Sequence, residues 1–319
     1  MTTFSCPSYE RCLVKKRIIL AGSLFALFCL FGLFFLWYTG TATPHTPIAI
    51  RSPAPPAEEL SSPIECPNTF VSWNLGNFGA AKTDEAIEIM AQILSSADIV
   101  AIQEVTAGKD HGAQAVAKLA DALSRTGVDW DYVISDPTQP RSPGVERYAF
   151  LFKKKSVTIN RRNAHLVAEL ETPIDREPFA LTFELTKSAG VLTVFTIHTV
   201  PTAKHPISEV AALTEAAELR NAKRAIVAGD FNLAPKATDP YFSGIGLTGH
   251  VDVRTSLATK LHDGRYVAKQ YDNIYTKGVT VCTAGTIDFV GAYFAPVTDD
   301  SLGAARKVSD HLPVYVTFQ

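Results

Sequence analysis

Seven polar side chains sit where apolar, β-type runs end. They are Asn74 in SWNLGNFG, Glu104 in IVAIQEV, His198 in FTIHTVP, Asp230 and Asn232 in VAGDFNL, and Asp310 and His311 in SDHLPV. Carboxylate and amide oxygens are hard ligands suited to Mg²⁺, with Mn²⁺ or Ca²⁺ as alternatives. Zinc fits less well, because the chain has no HxxxH or CxxC pair. Two histidines add groups that exchange protons near neutral pH. A divalent ion, a base for water and a donor for a leaving oxygen together describe phosphoester hydrolysis. Singly, each residue has a plainer reading. Asn74 could cap a turn, Asp230 or Asp310 a helix, and His198 could be structural. The inference rests on the ordered set.

These residues need strands to carry them. Thr69–Trp73, Asp98–Ile102, Tyr132–Ile134, Tyr148–Phe152, Val157–Ile159, Ala180–Leu185, Leu192–Ile197, Ala225–Ala228, Asn273–Tyr275, Ile287–Val290 and Val314–Phe318 read as β runs. Asp84–Ser96, Ala113–Leu123 and Ile207–Asn221 carry apolar residues at helical spacing. Helices that alternate with strands, interrupted by hairpin-like β pairs, predict an α/β fold. In it two packed β-sheets are flanked by helices, a four-layer sandwich. Strand ends along one sheet edge are where such folds build sites.

The domain so predicted is residues 67–319, with 25 Lys and Arg against 28 Asp and Glu. The whole chain of 319 residues has net charge −2, so no general basic field draws it to nucleic acid. Residues 18–38, IILAGSLFALFCLFGLFFLWY, are 21 residues without a charge. At about 1.5 Å per residue a helix of that length reaches about 31 Å, one hydrocarbon core. Trp37 and Tyr38 close it with interfacial rings, and Arg11, Lys15, Lys16 and Arg17 precede it. The expectation is a transmembrane signal anchor with residues 1–17 cytoplasmic and the rest outside, periplasmic or extracellular. A cleaved signal peptide would carry a shorter apolar core. Residues 39–66, with Pro44, Pro47, Pro53, Pro55, Pro56 and Pro63, read as an extended tether. Cys66 and Cys282 lie outside the membrane segment and are either disulfide-bonded or two free thiols.

The ordered motifs QEV, GDFN and SDHLP resemble those of the endonuclease/exonuclease/phosphatase superfamily, over Thr69 to Phe318. ERYAFLF (146–152) and REPF (176–179) resemble its deoxyribonuclease I-like branch. The resemblance implies that His198 is the acid, oriented by Glu146, and that His311 is the other catalytic histidine, partnered by Asp272. It implies that Glu104 and Asp310 bind the metal, with Asn74 as neighbouring ligand or phosphate-orienting amide. Asp230 and Asn232 then bind a second ion or the scissile phosphate. Arg176 is expected to clamp the substrate phosphate, the alternative being a structural ion pair with Glu177 or another neighbouring acid.

That branch places an Arg soon after its metal Glu and a Tyr before its ERY segment, both entering the DNA minor groove. Here Val105 and Thr106 follow Glu104, and Pro143, Gly144 and Val145 precede Glu146. Lys109 or Arg141 are the available substitutes. Lys153–Lys155, the densest basic run after the membrane segment, reads as a solvated hairpin tip. The expected function is a membrane-anchored, extracytoplasmic, metal-dependent nuclease with DNA as substrate. The alternative is a sphingomyelinase-like phosphodiesterase on a lipid or small phosphoester. An anchored binding module without catalysis is disfavoured, because no member of the polar set is missing.

Overall fold

The computed structural model describes residues 66–319, apart from 140–143 and 189. The expected anchor at 18–38, most of the tether, and Arg141 lie outside the described residues. Among the described residues no helix is long and apolar enough to cross a membrane.

The first half of the chain runs β1 (Asn68–Phe78), α1 (Asp84–Leu94), β2 (Ile99–Thr106), α2 (Gly112–Ser124), β3 (Trp130–Ile134), β4 (Glu146–Lys153), β5 (Val157–Ile159), β6 (His165–Leu166), β7 (Phe179–Leu185) and β8 (Gly190–His198). The second half runs α3 (Ile207–Glu215), α4 (Ala217–Asn221), β9 (Ala225–Asp230), α5 (Pro235–Gly244), β10 (Thr248–Gly249), β11 (Leu257–His262), β12 (Arg265–Val267), β13 (Asp272–Lys277), β14 (Val281–Thr286), α6 (Phe289–Tyr293), α7 (Asp299–Val308) and β15 (Val314–Phe318).

One sheet has the order β14-β15-β1-β2-β4-β3, the other β10-β13-β9-β8-β7-β5 with β6 on β7. Period-2 side-chain alternation sorts their residues into layers. Phe70, Ile99, Tyr148, Phe150 and Phe152 of the first sheet meet Phe179, Phe183, Leu192, Val194, Ile226 and Ile274 of the second in a central core. Phe150 stacks on Phe179 with centroids 5.1 Å apart and meets Phe183 edge-on at 5.6 Å. The opposite face of the first sheet, with Val71, Trp73, Val100 and Ile102, packs on α1, α2 and α7. The opposite face of the second, with Phe195, Ile197 and Val227, packs on α3, α4 and α5. This is the expected four-layer arrangement. Cys66 and Cys282 form a disulfide, joining the chain just before β1 to β14.

Three elements differ from expectation. Residues 287–290 are not a strand. Asp288 accepts from the Gly291 N–H and caps α6, so the short apolar run enters a helix. The helix expected over 207–221 breaks at Ala216, whose ψ is 126°. The buried residues Val210, Leu213, Ala216 and Leu219 recur every three positions. Three residues fall about 60° short of a full helical turn, so an unbroken helix would carry Leu219 round to the far side. The break keeps all four on the sheet. Lys153–Lys155 is not a hairpin tip, because β4 and β5 belong to different sheets. Lys153 lies 5.4 Å over the Trp130 ring and Lys154 lies 3.4 Å from Asp129.

Candidate active site

The inward alternation of each strand changes from apolar to polar at one end. It reads Phe70-Ser72-Asn74 in β1, and Phe150-Tyr148-Glu146 in the oppositely running β4. It reads Val194-Thr196-His198 in β8, Ile226-Ala228-Asp230 in β9, and Ile274-Asp272 in β13. Strand pairing aligns these ends. His198 is in register with Asp230 across the parallel β8–β9 pair, and Asp272 is in register with Asp230 across β9–β13. The result is a polar layer capping the intersheet core.

Two local devices complete it. In β2, Ile102 and Val105 both face the outer core, so one extra residue lies between them. That bulge has Glu104 at φ 58°, and it turns the carboxylate back toward the site. In β9, Gly229 has φ 150°, and a Cβ there would meet the Ile197 carbonyl oxygen at 1.9 Å. Only glycine lets β8 and β9 approach closely enough to put Asp230 beside His198.

Each histidine is held by a carboxylate. His198 Nδ1 lies 2.9 Å from Glu146 Oε2, and His311 Nδ1 lies 2.7 Å from Asp272 Oδ2. The opposite ring nitrogens converge, His198 Nε2 at 3.6 Å and His311 Nε2 at 3.7 Å from the same oxygen, Asp230 Oδ2. Burial opposes the charged form of both rings. For His311 it is outweighed by Asp272 and Asp230, which raise the ring to about 10. For His198 it is outweighed chiefly by Glu146, and the ring is raised from its ordinary value. Burial would raise Glu146, but His198 and then Arg176 hold it below the usual carboxylate range. Burial dominates at Asp230 and raises it, against the pull of His311.

Asn74 joins the two halves. Its Nδ2 donates to Glu104 Oε1 at 2.9 Å and to Asp230 Oδ2 at 3.1 Å, while its Oδ1 accepts from the Gly76 N–H. Its amide nitrogen, not its oxygen, therefore faces the carboxylates. Glu104 Oε2 accepts from the Asn77 N–H at 2.8 Å. Asp310 lies against Gly76, close enough that a Cβ there would meet Oδ1 at 2.8 Å. Glu104 and Asp310 thus flank the same bend near the end of β1, where Gly76 and Asn77 have positive φ. Asp310 is half-exposed, with Arg306 Nη2 at 3.5 Å. Lys82 lies within the field of both carboxylates. Burial lowers it to about 8, against the opposing pull of Asp310 and Glu104.

Asn232, at φ 50°, donates its backbone N–H to Asp230 Oδ1 and its Nδ2 to the Thr199 carbonyl. Among the described residues, Asp230, Asp272 and His311 form one group whose ligand atoms lie within 4.8 Å of one another and that could hold a metal ion. That trio differs from the expected Glu104–Asp310–Asn74 ligand set.

Arg176 does not point its fork outward. Nε donates to the His198 carbonyl at 2.9 Å, Nη2 to the Thr199 carbonyl at 2.5 Å, and Nη1 to Glu146 Oε1 at 3.2 Å. These bonds tie Glu146 to the end of β8, in place of a clamp on substrate phosphate. The ion pair is with Glu146; Glu177 instead accepts from the Gln139 N–H.

Four further side chains support the site. Tyr148 O–H accepts from the His198 N–H at 3.1 Å. Ser309 Oγ donates to the Asn74 carbonyl and accepts from the His311 N–H. Trp73 Nε1 donates to the His311 carbonyl at 2.7 Å. Thr255 Oγ1 donates to Asp272 Oδ2 at 2.6 Å. The first three lie inside quoted motifs; Thr255 lies in none.

The chain matches the Endonuclease/Exonuclease/phosphatase family over residues 71–311. It is 27% identical over 274 residues to human deoxyribonuclease gamma, covering 78% of this chain and 85% of that one. It is 28% identical over 264 residues to a deoxyribonuclease of Thioalkalivibrio sp. (strain K90mix), covering 78% and 70%. Among solved structures, a family protein from Leptotrichia buccalis superposes with TM-score 0.55 at 16% identity, over 79% of this chain and 99% of that one. With its paired imidazoles and polar sheet edge, the chain belongs to the endonuclease/exonuclease/phosphatase family, in the deoxyribonuclease I-like branch, and is a phosphodiester hydrolase.

Proposed function

We propose that the protein is a divalent-metal-dependent nuclease, held on a membrane by residues 18–38, that hydrolyses DNA phosphodiester bonds outside the cytoplasm. The observation that carries the hydrolytic reading is the convergence of two carboxylate-held imidazoles on one oxygen of Asp230. A phosphorus atom lodged between them has a base on one side and an acid on the other. Asp272 holds His311 Nδ1 and aims Nε2 at the site. Once Nε2 has released the proton that Asp272 and Asp230 favour, it takes one from water as the water oxygen bonds to phosphorus. As the bond to the leaving oxygen breaks, His198 Nε2, oriented by Glu146, delivers a proton to it. Asn232 spends one Nδ2 hydrogen on the Thr199 carbonyl and has the second to orient a phosphate oxygen, while Asn74, with both given to Glu104 and Asp230, positions those carboxylates. Arg176 acts through Glu146, as a positioning residue.

Glu104 and Asp310 fit a hard cation. Both donate oxygen, and Asp310 is half-exposed with a single long contact to Arg306. Glu104 accepts one hydrogen bond on each oxygen, and Asp230, Asp272 and His311 are tied to one another and to Asn74, Asn232 and Thr255, so Asp310, the half-exposed carboxylate on the same bend as Glu104, decides the choice. We assign the ion to Glu104 and Asp310, with Mg²⁺ favoured over Mn²⁺ or Ca²⁺. When bound there it supplies charge to the phosphate oxygens.

The Cys66–Cys282 disulfide supports an oxidising compartment, in keeping with the charge bias around residues 18–38. A mass measurement on the mature protein tests retention of the anchor. For activity, the protein is incubated with plasmid, linear duplex, single-stranded DNA and a choline phosphodiester, with Mg²⁺ and then EDTA. Nicking of DNA that EDTA abolishes is expected. Hydrolysis of the choline ester alone would overturn the nuclease reading in favour of the lipid-type diesterase.

A further inference from the structure

Strands β11 and β12 belong to neither large sheet. They form a separate hairpin, and its base is fastened to the catalytic histidine and its partner. Ser256 bridges to His311, the Leu257 N–H donates to the Asp310 carbonyl at 2.7 Å, and Thr255 holds Asp272. Arg306 Nη1 donates to the Leu257 carbonyl at 2.7 Å. The hairpin is thus carried by the active-site frame.

A groove of about 550 Å³ opens along it, lined by Arg254, Lys260, His262, Arg265 and Lys269 and by no Asp or Glu. All five cationic or titratable side chains are exposed. Asp263 at the turn reaches His262 at 3.0 Å and Arg265 at 3.6 Å. Among the described residues Arg254, Lys260 and Lys269 have no carboxylate within ion-pair reach. Elsewhere among the described residues some exposed cations are matched, as Lys118 with Asp84 and Arg161 with Asp131, and others such as Lys109, Lys204 and Lys236 stand singly. What sets this face apart is the gathering of Arg254, Lys260, His262, Arg265 and Lys269 along one groove with no Asp or Glu in its lining, on a domain with more acids than bases.

We infer that the β11–β12 hairpin and its groove bind the phosphate backbone of a nucleic acid and lead it to the site beneath, an inference that rests on the nuclease reading above. Six residues of β11 extend about 20 Å, long enough to follow several successive phosphates of one strand. Arg254 and Lys269 lie at the base, beside Thr255, and Lys260 and Arg265 lie toward the tip. The track therefore starts at the phosphate being cut and runs outward. It supplies the phosphate-neutralising charge that the wedge positions after Glu104 and before Glu146 do not carry. A small phosphoester would leave it unused.

The test measures binding apart from cleavage. The full chain in detergent is titrated against a fluorescent duplex in EDTA over a range of NaCl, with anisotropy as readout. Lys260→Ala/Arg265→Ala is expected to weaken binding about tenfold or more, and to flatten the slope of log K against log salt by about 0.9 per contact, about 1.8 in all. Lys118→Ala/Lys154→Ala, exposed lysines outside the groove, should change neither. Unchanged affinity and slope in the hairpin variant would overturn the inference. So would loss of binding to phosphatidylglycerol vesicles with duplex binding intact, which would make the groove a membrane contact. Plasmid nicking with Mg²⁺ is scored separately, so failure of the nuclease reading is told apart from failure of the track.

Discussion

His198 and His311 both point Nε2 at one oxygen of Asp230, and both rings favour the charged form. The carboxylate behind each ring fixes which nitrogen faces the substrate. Without a bound ion, His311 is expected to titrate near 10, and Asp272→Asn to move it sharply down, as followed by ring NMR shifts in EDTA. Its folded value lies above the unfolded one. The stability it contributes is therefore complete below about 6.5 and disappears as pH rises through about 10. Urea midpoints across that window should fall more in the parent than in Asp272→Asn. Replacing His198 with Ala removes the proposed acid, and the turnover number should drop by about 10²–10⁴ in steady-state assays. A near-normal turnover would reject that role.

Side-chain alternation lets each strand deliver its last inward residue to the site, and much of this is legible in the sequence. Val194-Thr196-His198 and Ile226-Ala228-Asp230 show the apolar-to-polar change directly, so the strands and most of the cluster follow from pattern. Thr255 was not legible, since it reaches Asp272 from a loop 17 residues away and nothing local marks it. The inward turn of Arg176 was equally hidden, because a guanidinium's partners depend on which strand ends lie beside it. Helix α5 carries an internal Pro240 and few apolar residues, so its periodicity is weak. The break at Ala216 was legible in the three-residue spacing but overridden by overall helical composition. Gly229 is where element geometry is most exposed to test. Gly229→Ala should separate β8 from β9, lower stability by about 1–3 kcal/mol in denaturant melts, and displace Asp230 with loss of activity.

Across the whole domain, the Cys66–Cys282 disulfide joins positions 216 residues apart and closes most of the domain, up to β14, into one loop. Such a link acts chiefly on the unfolded ensemble, and Cys66→Ser/Cys282→Ser should cost about 2–5 kcal/mol by thermal unfolding while leaving the metal-dependent rate at low temperature intact. Folding brings strand ends from β1 to β15 to one edge, so the residues gathered there should behave as one unit. The most direct measurement of that unity is plasmid nicking by the parent, His198→Ala, His311→Ala and the double variant, each with Mg²⁺ and with EDTA. The prediction is metal-dependent nicking by the parent, severe loss in each single variant, and a double variant little worse than either. Nicking that persists in EDTA, or a His311→Ala protein that cuts at the parent rate, would contradict it.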